Sequence, residues 1–386
     1  MTDRVVVLGA GYAGVGVLKQ LETVLDEREA DLHWISDHEH HFVLHEAHRI
    51  IRRPHLSEVL TIPIAKIKSS RTTFQEREVE DVDDERRRIR FADGSTISYD
   101  YVVDCLGSQT NFYGIDGLEA HALTLKSVSD ALEVNGAVSN AARKASADDP
   151  AQVIVGGAGL SGIQSAGELA RLRDERQLPI EIHLVEAMDQ ILPGQSHAFQ
   201  GLLEGHLQDA EVQIHAGSPI TTVDASRISF ADRAPKAYDV FLWTGGITGI
   251  REIDDPHISV TDERIEVDPT LQSDGERLFA LGDAAIVEQE NGERPPPTAQ
   301  AAWDAAGIAG KNVARTIRGE PLEPWHYHGN GTIVSVGDDD VAHDVPFTPV
   351  TTFDGFPATF LKKAIAARGI GYASSWKRAF RAWPNL

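Results

Sequence analysis

Apolar positions along the chain fall in short runs that alternate with stretches of helical spacing. Residues Arg4 to Leu8 form one run; Val15, Leu18 and Leu21 then recur at the interval of an amphipathic helix reaching about Leu25, and Leu32 to Ser36 form a second run. The succession returns as Gln152 to Val155, a helical stretch to about Arg173, and Glu181 to Val185. A third strand-like run, Leu278 to Leu281, precedes a helix expected to open at Thr298-Ala299-Gln300-Ala301-Ala302 and to reach about Arg315. Ile89, Phe91 and Ile97 flank Asp93-Gly94 with the alternation of a β-hairpin, and the Asp83–Arg88 charges beside them read as a solvated face. Asp338-Asp339-Asp340 reads as a loop, and Asp148-Asp149-Pro150 as a linker. Strands alternating with helices predict an α/β fold with parallel sheets. With 386 residues, and roughly 100–200 per domain, the chain should hold two or three domains.

The turns between these runs carry the chemistry. Gly9-Ala10-Gly11-Tyr12-Ala13-Gly14 follows the first strand and opens the first helix, and Asp37 ends the next strand, at about the 20-residue distance expected of a dinucleotide-binding unit. Gly9 suits the tight turn, Gly11 lets backbone approach a pyrophosphate, Gly14 lets the helix pack on the strand, and the helix N-terminus offers N–H groups to the anion. Gly157-Ala158-Gly159-Leu160-Ser161-Gly162 repeats the arrangement, with Glu186 as its acid. Two matching units imply two dinucleotide sites. Ala187 and Met188 follow Glu186 with no neighbouring arginine, so the second site should accept the 2′-hydroxyl of NAD(H) and repel the 2′-phosphate of NADP(H).

Charge and cysteine content narrow the function. Lys+Arg number 36 against 59 Asp+Glu, a formal charge of −23, which repels phosphate backbones and argues against nucleic acid as a partner. Of the basic residues 10 are Lys and 26 Arg, a skew that suits a surface kept hydrated in concentrated salt, and we read a halophilic origin. Cys105 alone cannot form an intramolecular disulfide, a redox pair or a cysteine-built zinc site, and it is expected to be a buried, inert residue. The first residues lack a secretory signal and no run of 18 apolar residues occurs, so a cytoplasmic protein without a membrane span is expected.

Two dinucleotide folds in one chain suggest a flavin facing a nicotinamide. VVVLGAGYAG, YDYVVDCLGSQTNFYGIDGLEAHALTLKSVSDAL, VIVGGAGLSGIQSAGELA, VFLWTGG, and LFALGDAA with PPPTAQAA, in this order, resemble the type II NADH dehydrogenases, the single-subunit NADH:quinone oxidoreductases of the FAD-dependent pyridine nucleotide-disulfide oxidoreductase superfamily. The resemblance implies two nested Rossmann-like domains: an FAD domain of residues 1–112 and 246–322, an NADH domain of residues 113–245, and a small C-terminal membrane-docking region, 323–386. It implies that Gly9, Gly11, Gly14, Asp37, Gly107, Asp283 and Ala299 hold FAD. Gly157, Gly159, Gly162, Glu186, Gly245 and Gly246 would hold NADH, and Thr298 and Gln300 would act at the flavin beside a quinone pocket, without a metal. The implied acceptor is a quinone, with menaquinone the expected headgroup, and the implied location the cytoplasmic face of the cell membrane.

Three positions depart from the family pattern. Cys105-Leu106-Gly107 stands where an alanine-threonine-glycine turn is common, Gln164 where a glutamate assists proton movement, and Asp304 where a glutamine closes the quinone-side pattern begun by Ala299 and Gln300. The tail is basic: Lys362, Lys363, Arg368, Lys377, Arg378 and Arg381 face only Asp354. Phe360, Leu361, Ala364 and Ile365 are expected to share one helical face, Gly369 to Gly371 to interrupt, and Tyr372, Trp376, Phe380 and Trp383 to recur on one side. This pattern suits a helix in a membrane interface, and its alternative is packing on the enzyme core or a homodimer contact. His38, His40, His41, His45 and His48 cluster after the second strand; one of them is expected near the flavin ring, ahead of a metal site. Other acceptors stay open: a soluble reductase of a small electron-transfer protein such as ferredoxin, or a flavin redox sensor.

Overall fold

A computed structural model describes residues 2–250, 258–289 and 292–386 and divides into two compact units. The first comprises Met1–Phe42, Thr61–Gln109 and Ile247–Gly329, and the second Val43–Leu60, Thr110–Gly246 and Asn330–Leu386.

The first unit is built on a five-stranded parallel sheet in the order Leu278–Ala280, Tyr101–Asp104, Asp3–Leu8, Ala30–Ser36, Thr72–Glu76. The central strands Asp3–Leu8 and Tyr101–Asp104 are rich in buried Val and Leu because helices cover a parallel sheet, while the edge strand Thr72–Glu76 is polar and partly exposed. Helix Tyr12–Val24 packs closely on helix Ala299–Arg318. Room for this comes from Gly16, where a β carbon would lie 2.5 Å from Ala306 Cβ, and from Gly310, 2.7 Å from Gln20 Cβ. The expected hairpin forms, with Arg88–Phe91 antiparallel to Thr96–Ser98 and Gly94 at φ +80° in its turn.

The second unit holds a four-stranded parallel sheet in the order Val212–His215, Ile180–Val185, Ala151–Gly156, Val240–Trp243. Helix Leu160–Arg176 buries Ile163, Ala166, Leu169 and Leu172 on it. Strands Thr332–Val336 and Asp339–His343 join the same core, Val334, Val336 and Val341 packing with Ile163, Leu169 and Phe199. Gly167 permits this, since a β carbon there would meet Val336 Cα at 2.6 Å.

The units thus differ from the three regions expected. Residues 330–386 belong to the second unit instead of standing apart, and so does Val43–Leu60, although both its sequence neighbours lie in the first. The reason is local: Ile51 joins the second unit's apolar core, and Asn135 Nδ2 donates to Ile51 O (2.7 Å). Asp338-Asp339-Asp340 is only partly loop, because Asp340 enters a strand, where it is buried and accepts a hydrogen bond from Ser335 Oγ.

The tail also departs from its expectation. Helix Phe356–Ala373 runs through Gly369 and Gly371 and stops at Ser374, with Ser375 capping helix Trp376–Ala382. Gly371 is a seat and not a breaker: a β carbon there would meet the Trp376 ring at 2.8 Å. The buried face is Ala358, Lys362, Ala366 and Ile370, while Phe356, Phe360, Ile365, Tyr372, Trp376 and Phe380 are exposed. Leu361 and Ala364 are only partly covered, and Trp383 sits edge-on to Phe360 at 5.7 Å.

Candidate active site

In a doubly wound sheet a ligand lies beyond the carboxyl ends of the strands, where the strand order reverses. In the first unit this point falls between Asp3–Leu8 and Tyr101–Asp104, and the Gly-rich turn occupies it. Gly9 has φ +89°, and a β carbon there would meet Cys105 O at 2.3 Å; one on Gly14 would meet Gly9 O at 2.0 Å. Gly11 is different. It precedes helix Tyr12–Val24 without a side-chain cap, and a β carbon on it would point into open space. The free N–H groups of this helix end therefore face a backbone-lined hollow, the setting for a pyrophosphate.

Side chains fix this turn from behind. Trp34 Nε1 donates to Gly9 O (2.9 Å), and His41 Nδ1 lies 2.8 Å from Ala10 O with its ring edge-on to Tyr12 at 5.0 Å. His41 is thus the histidine of the cluster that the fold brings to the Gly-rich turn. His38 and His40 stack on each other at 4.5 Å, while His45 and His48 belong to the second unit. No group of three metal-ligating side chains occurs among the described residues.

The other flavin-site candidates gather at the same strand ends. Asp283 Oδ2 accepts from Ser108 Oγ (2.8 Å), next to Gly107 at φ +87°, and Arg264 Nε donates to Asp283 O (2.8 Å). Gly282 abuts Ala13 and Ala302, a built β carbon lying 3.2 and 3.5 Å from theirs. Thr298 caps helix Ala299–Arg318, its Oγ1 accepting Ala301 N–H (3.2 Å), so Ala299 and Gln300 form the first turn. Gln300 Nε2 is buried and meets no hydrogen-bond partner among the described residues, as expected of an amide that serves a bound group. A cavity of about 130 Å³ is lined by Arg264, Gly282, Pro297, Thr298 and Trp325. Asp37 ends strand Ala30–Ser36 exposed, its carboxylate near Ser36 Oγ and His38. Asp304, one of the departures, accepts Trp325 Nε1–H (2.9 Å) and is thereby tied down.

The second unit repeats the construction. Gly157 has φ +91° and backs onto Gly245, whose Cα a β carbon would meet at 2.6 Å; one on Gly162 would meet Gly157 O at 1.8 Å. Gly159 opens helix Leu160–Arg176 with no side-chain cap and open space before it. Thr244 Oγ1 bridges Gly156 O and Gly157 O, each at 3.0 Å, and so pins the turn to the loop that carries Gly245 and Gly246. Glu186 is already employed: Oε2 accepts Ala158 N–H (2.7 Å) and Oε1 accepts Met188 N–H (2.9 Å). These bonds hold the carboxylate beside the turn with lone pairs left for a ribose hydroxyl.

Nothing in the linear pattern announces the ionic cluster buried in this unit. Glu46, Arg49, Arg52, Glu168, Asp340 and Lys362 are all nearly inaccessible. Arg49 pairs with Glu46, Arg52 Nε meets Glu168 Oε2 at 2.5 Å, and Arg52 Nη2 meets Asp338 at 2.7 Å. Lys362 Nζ donates to Gln164 Oε1 and to Ser335 Oγ, each at 2.5 Å. Burial would raise the Glu46 carboxyl, but Arg49 and Lys362 outweigh it and keep it ionised below the usual range. Glu168 goes the other way: burial pushes it up to about 7 despite Arg52. Burial lowers Lys362 and holds His48 well below its ordinary value, hence neutral. Gln164, the second departure, thus serves as an acceptor for a buried ammonium. Linear spacing could not have shown this, because the partners come from segments near residues 46, 164, 335 and 362.

A profile of the family described as pyridine nucleotide-disulphide oxidoreductase matches residues 3–306. The chain is similar to a protein of Staphylococcus aureus (strain NCTC 8325 / PS 47) named type II NADH:quinone oxidoreductase, 27% identical over 385 residues and 95% of each chain. Among solved structures it is similar to NDH2 from Plasmodium falciparum in complex with NADH (TM-score 0.84, 17% identity, 98% of this chain and 96% of that one). It is also similar to the sulfide:quinone oxidoreductase of Aquifex aeolicus (TM-score 0.82, 17% identity, 96% and 91%). These two likenesses establish the fold.

Proposed function

We infer that this chain, which belongs to the pyridine nucleotide-disulphide oxidoreductase family, is an FAD-dependent NADH:quinone oxidoreductase. The observation that carries this is the duplication of one site: two Gly-rich turns, each at its sheet's reversal point, each facing an uncapped helix end, the second with Glu186 held beside it. The relative that spans almost the whole chain supplies the quinone. Sulfur-transfer chemistry is disfavoured, since Cys105 is buried and both burial and Asp104 push its thiol well above the ordinary value.

Under this proposal the residues divide by cofactor. Gly9, Gly11, Gly14 and Asp37 take the nucleotide part of FAD, and Gly107 and Asp283 its ribityl chain, with Ser108 orienting the Asp283 carboxylate. Thr298, Ala299 and Gln300 present the N-terminus of a 20-residue helix, whose partial positive charge favours negative charge before it. Gln300 Nε2 brings the donor that lacks a partner among the described residues. Gly157, Gly159, Gly162, Gly245 and Gly246 shape the NADH crevice, and Glu186 selects the 2′-hydroxyl. FAD, when bound, accepts hydride from NADH and returns two electrons to quinone. The protein contributes orientation and a fixed electrostatic field, not a covalent partner.

Three finer parts belong to the same proposal. The acceptor is a membrane quinone of the menaquinone type. The enzyme docks on the cytoplasmic face of the membrane through the aromatic side of helices Phe356–Ala373 and Trp376–Ala382, assisted by Lys363, Arg368, Lys377 and Arg381. No described helix is long and apolar enough to cross a membrane. The acidic surface serves concentrated salt.

Anaerobic stopped-flow on the flavin-loaded protein tests the core of this. NADH should bleach the flavin absorbance, and a menaquinone analogue should restore it rapidly. Failure to bleach would overturn the assignment, and bleaching without quinone reoxidation would move the acceptor to a protein partner.

A further inference from the structure

Tyr113 is a large aromatic side chain placed in a costly position without an apolar seat. It is 59% exposed, and its backbone has φ +52°, a left-handed conformation that a bulky residue adopts only when its surroundings impose it. Asn111 imposes it. Asn111 Oδ1 accepts Tyr113 N–H (2.7 Å), Asn111 N–H donates to Gly246 O (3.1 Å), and Asn111 O accepts Trp243 Nε1–H (2.8 Å). The turn carrying Tyr113 is therefore fastened to the loop that backs the second Gly-rich turn. Gly246 completes the arrangement, because a β carbon there would meet the Tyr113 hydroxyl oxygen at 2.1 Å. The ring lies over Gly246, next to Gly245, which backs Gly157.

Sheet order says which end of a dinucleotide would meet this ring. Ala151–Gly156, the strand that leads into the Gly-rich turn, lies between Ile180–Val185, which leads into Glu186, and Val240–Trp243, which leads into Gly245 and Gly246. A dinucleotide crossing the turn has its pyrophosphate at the helix end and its adenosine ribose at Glu186. Its nicotinamide half then leaves on the side of Val240–Trp243, where Tyr113 stands.

We propose that Tyr113 is the wall of the NADH site that receives the nicotinamide ring, stacking its phenol ring on the nicotinamide. This rests on the reading of residues 157–162 as the NADH turn. A planar aromatic surface, rigidly presented and wet on its outer side, is matched by a planar heteroaromatic ligand, and offset stacking is the favoured contact between two such rings.

The test separates the two halves of the ligand. The flavin-loaded, oxidised enzyme is titrated calorimetrically with NAD⁺ and with ADP-ribose, which keeps the adenosine and pyrophosphate but lacks nicotinamide. Tyr113→Ala should weaken NAD⁺ roughly tenfold, the scale of one lost aromatic pair, and leave ADP-ribose within about twofold. Tyr113→Gly, which removes the ring while relaxing the backbone, should do the same and guards against a folding defect. Tyr113→Phe should retain most of the NAD⁺ affinity. Equal losses for NAD⁺ and ADP-ribose, no loss for either, or a Phe variant as weak as Ala would each overturn the stacking role. A wild-type enzyme that binds neither compound would instead remove the NADH-site reading beneath it.

Discussion

Asp104 shows how much a single buried carboxyl can set. It ends strand Tyr101–Asp104, is fully enclosed, and has Leu106 N–H on Oδ1 at 2.9 Å but no cation among the described residues. Burial, opposed only by that hydrogen bond, pushes its carboxyl up to about 6. The folded state therefore holds a proton that the unfolded chain has already released, so this contribution to stability is complete below the ordinary aspartate range and is lost as pH rises through about 6. Asp104→Asn keeps the Oδ1 acceptor and removes the titration. The variant should gain about 3 kcal/mol on the wild type between acid and mildly alkaline pH, read from urea melts at each pH. A constant difference across that range would show that Asp104 titrates in the fold as it does in the unfolded chain. Gly9 and Gly157 work at the same scale, by what they lack: a β carbon on either would strike backbone across the sheet's reversal point.

At the scale of elements, helix Phe356–Ala373 joins the second unit through a lysine. Its buried face is small, Ala358, Ala366 and Ile370, and Lys362 reaches from it to Gln164 and Ser335, with Asp340 at 4.0 Å. Removing one member of a buried ionic set leaves the others uncompensated. Lys362→Met should cost about 3 kcal/mol of stability and speed amide hydrogen exchange along this helix, while helix Tyr12–Val24 in the first unit keeps its protection. Unchanged exchange would mean that the alanine face alone holds the helix. The lysine's position was written in the sequence only as one charge of a basic tail. Its burial follows from the helix running on past Gly369 and Gly371, which fixes which side faces in.

Over the whole molecule, charge is distributed unevenly. A chain of net charge −23 ends in a basic segment whose exposed side carries Phe356, Phe360, Tyr372, Trp376 and Phe380. Under the proposed membrane docking, hydrophobic burial into a lipid interface and attraction to anionic headgroups would act together. Trp376→Ser with Phe380→Ser should weaken affinity for phosphatidylglycerol vesicles, read by sedimentation, by at least about a hundredfold, since each aromatic forfeits about 1.5–3 kcal/mol of burial, and should leave flavin bleaching by NADH unchanged. Equal sedimentation of variant and wild type would assign the aromatic face to another partner.

What depends on neighbours along the chain was legible in the residues alone. Two Gly-rich turns, each after an apolar run and before a helical one, with Asp37 and Glu186 at the matching distance, were sufficient for two dinucleotide-type folds, because strand, turn and helix are local and their glycines answer to backbone close at hand. Tertiary structure alone decided the rest. The placement of Val43–Leu60 and of residues 330–386 in the second unit, the tying of Asp304 to Trp325, the closure of Lys362 on Gln164, and the seating of Tyr113 over Gly246 all join residues distant in sequence. Such contacts are set by which surfaces are left to bury once the sheets have formed, and spacing along the chain carries no record of that.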